Sequence, residues 1–115
     1  ITTPQFIALQ WILEEGNLTI GELSNRINLA CSTTTDLVDR MEKNFLVERY
    51  RDPNDKRVVR IALLEKGELV IQEVIRKRQA YLGSVLENVS VENVETLNSI
   101  LKLLHKEMRI YQQQD

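Results

Sequence analysis

The sequence contains few of the residues from which small covalent or metal-bound scaffolds are built. Its 115 residues include one cysteine and one histidine. They can form no internal disulfide and cannot supply the four ligands of a common structural zinc site. No apolar run approaches the ~18 residues that a membrane helix needs, and the first residues lack the pattern of a secretion signal. We therefore expect a cytoplasmic chain with no membrane segment, no metal and no disulfide framework.

The patterns of enzymes are also missing. The chain has four glycines and no glycine-rich phosphate loop. It shows no nucleophile beside a base, no paired carboxylates with a pocket to place them in, and no cluster of metal-ligating residues. We predict that it is not an enzyme and has no catalytic residue or cofactor.

The composition that remains is that of an ordinary globular protein with unevenly distributed charge. Hydrophobic residues make up 43% and charged residues 28%, which predicts one folded domain, or one domain and an appendage. The formal net charge of −2 taken alone argues against nucleic acid as a partner. However, residues 40–60 hold seven bases and four acids, whereas residues 1–39 hold one base and five acids. The basic charge is therefore concentrated in one segment.

Capping and spacing signals predict three helices in the first part of the chain. Thr3-Pro4 favours a helix start, since proline suits the first helical position, and apolar residues then recur at helical spacing until Gly16. The segment Thr19–Glu22 matches a capping box and begins a short second helix. A third helix is predicted over residues 31–43, with Asn44 in the left-handed conformation after it.

The apolar period then changes from that of a helix to about two residues, as in a strand. Leu46–Arg51 and residues 58–63 show this pattern on either side of Asp52–Asp55, a turn with proline at its second position. We predict a two-stranded hairpin over residues 46–63.

Two further helices are predicted after the hairpin. The first runs from Glu65 to about Asn88, and Ser90 caps the second. The fold class is thus mainly α with a small β-hairpin. Apolar residues of the last helix follow alternating steps of three and four, as along a coiled-coil seam. This seam consists of Val94, Leu97, Leu101, Leu104, Met108 and Tyr111.

The third helix separates into an apolar stripe and a polar face. The polar face begins with small hydroxyl side chains, which let a recognition helix lie deep in the major groove of DNA. A short helix, a turn and such a helix predict a helix-turn-helix, and the alternative is an ordinary solvated face. The stripe consists of Thr34, Leu37, Val38 and Met41. The polar face consists of Ser32, Asp36, Asp39 and Lys43, with Thr35 and Arg40 at its flanks.

The predicted hairpin carries cations along its strands and at its tip. Lys56 and Arg57 lie at the tip, and Arg49, Arg51 and Arg60 lie on the strands. A basic β-ribbon directly after a helix-turn-helix is typical of a winged helix, in which the wing tip brings cations to phosphates or into the minor groove. The alternative is that these charges only protect an exposed strand edge.

Several short segments form a pattern of known type. They are Thr3–Phe6, Ile20–Leu23, Ser32-Thr33, Val38–Lys43, Leu46–Arg49, Arg51–Arg57 and Glu65–Gly67. In these segments the chain resembles the MarR family of winged helix-turn-helix transcriptional regulators. The most specific element is in the wing, where an Asp is followed two positions later by an Arg. The resemblance implies that Arg57 reaches the minor groove and that Asp55 fixes the wing. Asn44 stands where the family usually has glycine.

The resemblance also implies a repressor that binds a near-palindromic operator as a homodimer and is released by a small effector. It implies a DNA-binding lobe over residues 1–64 and a helical dimerisation lobe over residues 65–115. The helix that usually precedes this region in the family is expected to be missing from this chain. The seam is expected to form the dimer interface, although the closing helices could instead pack on each other and on the DNA-binding lobe. Cys31 is expected to be a bystander.

One predicted contact residue departs from the family pattern. Phosphates repel the carboxylate of Asp36 unless it accepts a hydrogen bond from cytosine N4 or pairs with Arg40, and we expect the pairing. We expect Ser32, Thr35 and Arg40 to select the operator sequence and the wing tip to add general affinity. A second hypothesis, a winged-helix module for protein contacts, stays open because the first third is acidic. The predicted DNA-binding residues are Ser32, Thr33, Thr35, Asp36, Arg40, Lys43, Arg49, Arg51, Asp55, Lys56 and Arg57.

Overall fold

The computed structural model of the chain describes residues 1–113. Over these residues it has five α-helices and a three-stranded sheet, which confirms the predicted mainly α fold with a small β part. In chain order the elements are α1 (Thr3–Glu15), β1 (Leu18–Thr19), α2 (Ile20–Ile27), α3 (Cys31–Lys43), β2 (Val47–Arg51), β3 (Val59–Leu63), α4 (Glu65–Leu86) and α5 (Val91–Gln112).

The first two helices begin with reciprocal side-chain caps. Thr19 Oγ1 accepts a hydrogen bond from the amide of Glu22 at 3.1 Å, and Glu22 Oε1 accepts one from the amide of Thr19 at 3.0 Å. This confirms the predicted capping box of α2. The cap of α1 is Thr2, one residue before the predicted Thr3, because only Thr2 has a side chain three positions later, Gln5, that can return the bond.

The end of α3 differs from the prediction. Asn44 is not left-handed, since its φ is −91°, and Phe45 takes that conformation with φ 60°. The amide of Leu46 donates to the carbonyl of Met41, and the amide of Phe45 donates to that of Glu42. These two bonds form a Schellman motif, which requires its left-handed residue at the position of Phe45. A bulky residue in this conformation costs roughly 1–2 kcal/mol.

β3 is the central strand of the sheet, in the order β1-β3-β2. The predicted hairpin is present, with Val47 opposite Leu63 at one end and Arg51 opposite Val59 at the other. β1 was not predicted. It pairs Leu18 with Ile61, and its two residues are too few to show an alternating pattern.

The core lies where α1, α2, α3, the sheet and the start of α4 meet. Leu9, Leu23, Met41 and Ile61 are fully buried there, and so is Ile71 of α4. The first turn of α4 also lies very close to the backbone of Leu46. A Cβ added to Gly67 would overlap the carbonyl oxygen of Leu46, and that oxygen already accepts a hydrogen bond from the amide of Leu64 at 3.0 Å.

The chain divides into two compact units, Ile1–Ile75 and the residues from Arg76 onward. The first unit extends beyond the predicted lobe of residues 1–64, because Gly67 and Ile71 of α4 are buried in it. The second unit contains the rest of α4 and all of α5, and α5 has no buried residue. The division of roles between a DNA-binding and a dimerising lobe stays a prediction.

Candidate nucleic-acid interface

One side of α3 is anchored in the core and the other faces solvent. Thr34, Val38 and Met41 are buried, as the apolar stripe predicted. The opposite side presents exposed polar side chains from the helix start to its end. These are Ser32, Thr33, Thr35, Asp36, Arg40 and Lys43. Asp39 was predicted on the same face but is partly buried.

The hydroxyl groups at the start of α3 differ in what they can still bind. Thr35 Oγ1 donates to the carbonyl of Cys31 at 2.8 Å, so towards a ligand it offers lone pairs and a methyl group. No hydrogen bond joins the side chains of Ser32 or Thr33 to any other residue within 1–113. Both can donate to a base or a phosphate. Ala30 supplies no side-chain cap, which leaves amides of the first helical turn available.

The expected ion pair between Asp36 and Arg40 is absent from the described part of the chain, so that expectation was wrong. Both side chains are exposed. A water-exposed pair one helical turn apart gains only about 0.2–0.5 kcal/mol, which is easily offset by the entropy of ordering the arginine. Asp36 and Arg40 therefore both keep free polar groups on the outer face of α3.

The wing turn is held by two carboxylates. Asp52 accepts from the Arg60 guanidinium at 2.7 Å and from the amide of Asn54 at 2.8 Å. Asp55 accepts from Nε and Nη2 of Arg57 at 3.1 and 3.2 Å and from the Arg57 amide at 3.1 Å. The arginine hydrogen bonds are the main cause that lowers the pKa of each carboxyl below its ordinary value.

Two cations project from the wing tip. The side chain of Arg57 is 90% exposed although Asp55 orients it, and the same hydrogen bond raises its pKa. Lys56 is exposed and has no ion pair among the described residues, while its carbonyl accepts from Arg51 Nη1 at 2.8 Å. The structure thus presents Lys56 and Arg57 side by side, and the hydrogen bond from Arg51 holds the turn that carries them.

The partly buried side chain of Arg60 contacts other elements of the lobe and does not project from the wing tip. Its guanidinium contacts Asp52, the carbonyl of Asn17 at 3.0 Å and Glu22 at 3.5 Å. It thereby joins the wing to β1 and to the start of α2. Sequence reasoning missed this role, because the contact depends on the pairing of Thr19 with Arg60 in the unpredicted strand β1.

Arg49 was predicted to contact DNA, and its guanidinium lies between two carboxylates of α3. Nη1 is 2.8 Å from Glu42 Oε1, and Nη2 is 2.5 Å from Asp39 Oδ1. No role was predicted for Glu42. The signal in the sequence would have been an arginine of the first wing strand with acidic residues seven and ten positions before it.

The predicted seam residues of α5 can be described within their own unit. Val94 is half-buried, and the others are exposed apolar side chains. Cys31 is also exposed, with Sγ 3.4 Å from the hydroxyl of Ser24.

Comparison with known proteins agrees with this geometry. The sequence profile of the MarR family matches residues 1–59. The chain belongs to the MarR family. This confirms the resemblance, and it extends the assignment from short segments to residues 1–59 as a whole.

Similar proteins include transcriptional regulators of Bacillus subtilis. The uncharacterized HTH-type transcriptional regulator YsmB is 57% identical over 109 residues, which are 95% of this chain and 75% of that protein. The organic hydroperoxide resistance transcriptional regulator is 34% identical over 104 residues, 90% of this chain and 69% of that protein. A solved MarR family protein from Bacillus stearothermophilus is 62% identical with a TM-score of 0.85, over 95% of this chain and 76% of that one.

This MarR-family chain is therefore a DNA-binding transcriptional regulator. The family and the similar proteins are regulators and not enzymes, which confirms the prediction that the chain is not an enzyme. Within residues 1–113, no helix has the length and apolar character needed to cross a bilayer.

Proposed function

We propose that the chain represses transcription by binding a near-palindromic operator as a homodimer, with α3 in the major groove and the wing at the minor groove. The observation that carries the proposal is that one lobe presents both an exposed polar helix face and an exposed basic wing tip. The exposed polar face of α3 is followed in the chain by a wing whose tip holds Arg57 at 90% exposure in a fixed orientation. This arrangement suits a protein that contacts two adjacent grooves at once.

Within this interface we assign sequence selection to α3 and general affinity to cations. Ser32 and Thr33 keep free donors, Thr35 offers an acceptor and a methyl group, and Arg40 keeps a free guanidinium that suits guanine. Cations near the edge of the interface are assigned to phosphates, where they add affinity without sequence information. These are Lys43, Arg51 and Lys56.

Asp36 is assigned to base recognition. Its carboxylate can only accept hydrogen bonds, and the pairing with Arg40 that would have neutralised it is not formed. The amino group of cytosine is the base-edge donor that a carboxylate suits best. The proposal therefore includes a cytosine in the operator half-site opposite Asp36.

The proposed dimer interface is the seam of α5. Leu101 and Leu104 are 52% and 53% exposed in the single chain, and a row of apolar side chains along one helix favours burial against a second copy. A homodimer also supplies the second recognition helix that a palindromic site needs. Release by a small effector and a cytoplasmic location are further parts of the proposal, and both rest on the family resemblance.

The test is binding of the purified chain to duplexes selected from a randomised DNA library. We expect affinity that falls steeply as salt rises, because phosphate contacts displace condensed counterions. Arg57→Ala should weaken binding to every duplex by about tenfold and lower the salt slope by about one. Undetectable binding of any duplex at low salt would overturn the proposal and favour the protein-contact module.

A further inference from the structure

Arg49 of β2 is held by three hydrogen bonds to α3. Besides the contacts of its guanidinium with Asp39 and Glu42, its backbone amide donates to Glu42 Oε2 at 2.9 Å. Glu42 thus uses one carboxylate oxygen for the main chain of β2 and the other for the side chain. Only 25% of the Arg49 side chain is exposed. The recognition helix and the first wing strand are joined at this point by charged hydrogen bonds, which are the stronger kind.

This environment does not suit a phosphate contact. Two carboxylates surround one guanidinium, so the cluster carries a net negative charge and repels a phosphate. Arg57 is the opposite case, because it has one carboxylate partner and 90% of its side chain is exposed. Arg49 therefore has neither the exposure nor the net positive surroundings of a residue that binds the DNA backbone.

We propose that Arg49 is a positioning residue that fixes the wing relative to α3 without touching DNA. The core holds β2 from one side through Val47, and the covalent link between α3 and β2 is the short turn at Phe45. The Arg49 cluster adds a second connection away from that turn. DNA binding depends on it because α3 and the wing tip must reach their grooves together, and a preorganised pair loses less entropy on binding than a loose one. This inference rests on the proposed DNA-binding function.

Glu42→Gln separates the two roles because they predict opposite signs. If Arg49 bound phosphate, removing a carboxylate would free its guanidinium, reduce repulsion of DNA and tighten binding. If Arg49 positions the wing, glutamine fails as a partner. It has one acceptor oxygen where Glu42 uses two, and its amide group would point a donor at a donor.

The experiment measures the affinity of the full chain for a duplex selected on the unsubstituted protein, at a temperature where circular dichroism shows every variant folded. We expect Glu42→Gln to bind about fivefold more weakly. Glu15→Gln is the matched control. It removes the same charge from another arginine–glutamate pair, Arg26 with Glu15 at 2.9 Å, and should change affinity by less than about twofold.

Arg49→Lys gives a second test that keeps every charge. Lysine keeps the charge with which it can contact a phosphate, but it cannot bridge two carboxylates with a planar fork. We expect Arg49→Lys to bind about fivefold more weakly and to make Arg57→Ala less costly than in the unsubstituted chain, since a loosely held wing gains less from its tip. Either result supports the role of Arg49 beyond a change in stability.

Tighter binding by Glu42→Gln, full affinity of Arg49→Lys, or strict additivity of Arg49→Lys with Arg57→Ala would overturn the positioning role. These failures differ from a failure of the proposed function. If the proposed function fails, the unsubstituted chain itself binds no duplex.

Discussion

The unit formed by residues 1–75 and the unit that follows it bury their apolar side chains to very different extents. Every buried hydrophobic residue of the described chain lies in the first unit, from Phe6 to Ile71. In α5, by contrast, no residue is buried and large apolar side chains are exposed along the helix. Intrinsic propensity stabilises isolated helices only weakly in water. The comparison teaches that the first unit carries its own core, whereas α5 leaves its large apolar side chains exposed.

The largest expected effect comes from charging the exposed seam. Leu101→Glu with Leu104→Glu should raise the dimer dissociation constant at least about a hundredfold, because two leucines of each copy lose their burial and carboxylates replace them. Sedimentation velocity across protein concentrations measures the change. Lys106→Glu, on the opposite side of α5 from the seam, is the control and should leave the dimer intact. A monomeric unsubstituted chain would show that α5 is covered in another way.

The next effect contrasts one glycine from each unit. Gly67→Ala should destabilise the chain by about 1–3 kcal/mol, because its Cβ overlaps a carbonyl oxygen that the amide of Leu64 holds in place. Gly83→Ala should stabilise α4 by up to about 1 kcal/mol, since a Cβ there meets no atom within 4 Å. Thermal unfolding of the two variants measures both changes. Equal effects of the same sign would contradict the contrast between the two parts of α4.

A smaller effect is expected at the turn after α3. Phe45→Gly should stabilise the first unit by about 0.5–1 kcal/mol, which is the relief of left-handed strain less the entropy that glycine adds to the unfolded chain. The ring itself contributes little, since it is 69% exposed. Phe45→Ala keeps the strain and should give no gain. Chemical denaturation of the three proteins would refute this account if alanine stabilised as much as glycine.

The smallest expected effect is a loss of folding stability at acidic pH that comes from the carboxylates of the wing. The pKa of Asp52 and that of Asp55 lie below the ordinary value of 3.8 in the folded chain. Each therefore contributes stability that is present above pH 3.8 and lost as the pH falls through the lower folded value. Asp52→Asn should remove part of this loss. Unfolding midpoints measured from pH 6 down to about pH 3 should fall less steeply for the variant than for the unsubstituted chain.

The sequence was enough to predict most of the fold, because its signals are local. Capping at Thr19, the spacing of Val38 and Met41, and the turn at Pro53 each act within a few residues, and all three matched the structure. The unpredicted strand β1 depends on a distant partner, because it exists through its pairing with Ile61. The left-handed residue is a local feature, but Asn44 and Phe45 are adjacent, and only the hydrogen bonds of Leu46 and Phe45 to the end of α3 show which of them adopts that conformation.

The interface shows the same limit. Which cations lie in the wing could be read from the sequence, since they are consecutive or alternate along two strands. Which of them are free could not, because Arg49 and Arg60 are occupied by acids from other elements. The number of basic residues in the wing therefore exceeds the number that are free to contact DNA. At the wing tip, the exposed cations are Lys56 and Arg57.

The hydrogen bonds of the wing turn have a consequence for the rate of association. Asp52 and Asp55 fix the amides of Asn54 and Arg57 in the free protein, so the loss of backbone entropy, about 1–2 kcal/mol per residue, accompanies folding and not the encounter with DNA. No ordering step of the wing then delays docking. Association of this chain with DNA should be governed by diffusion and by electrostatic steering toward the wing tip.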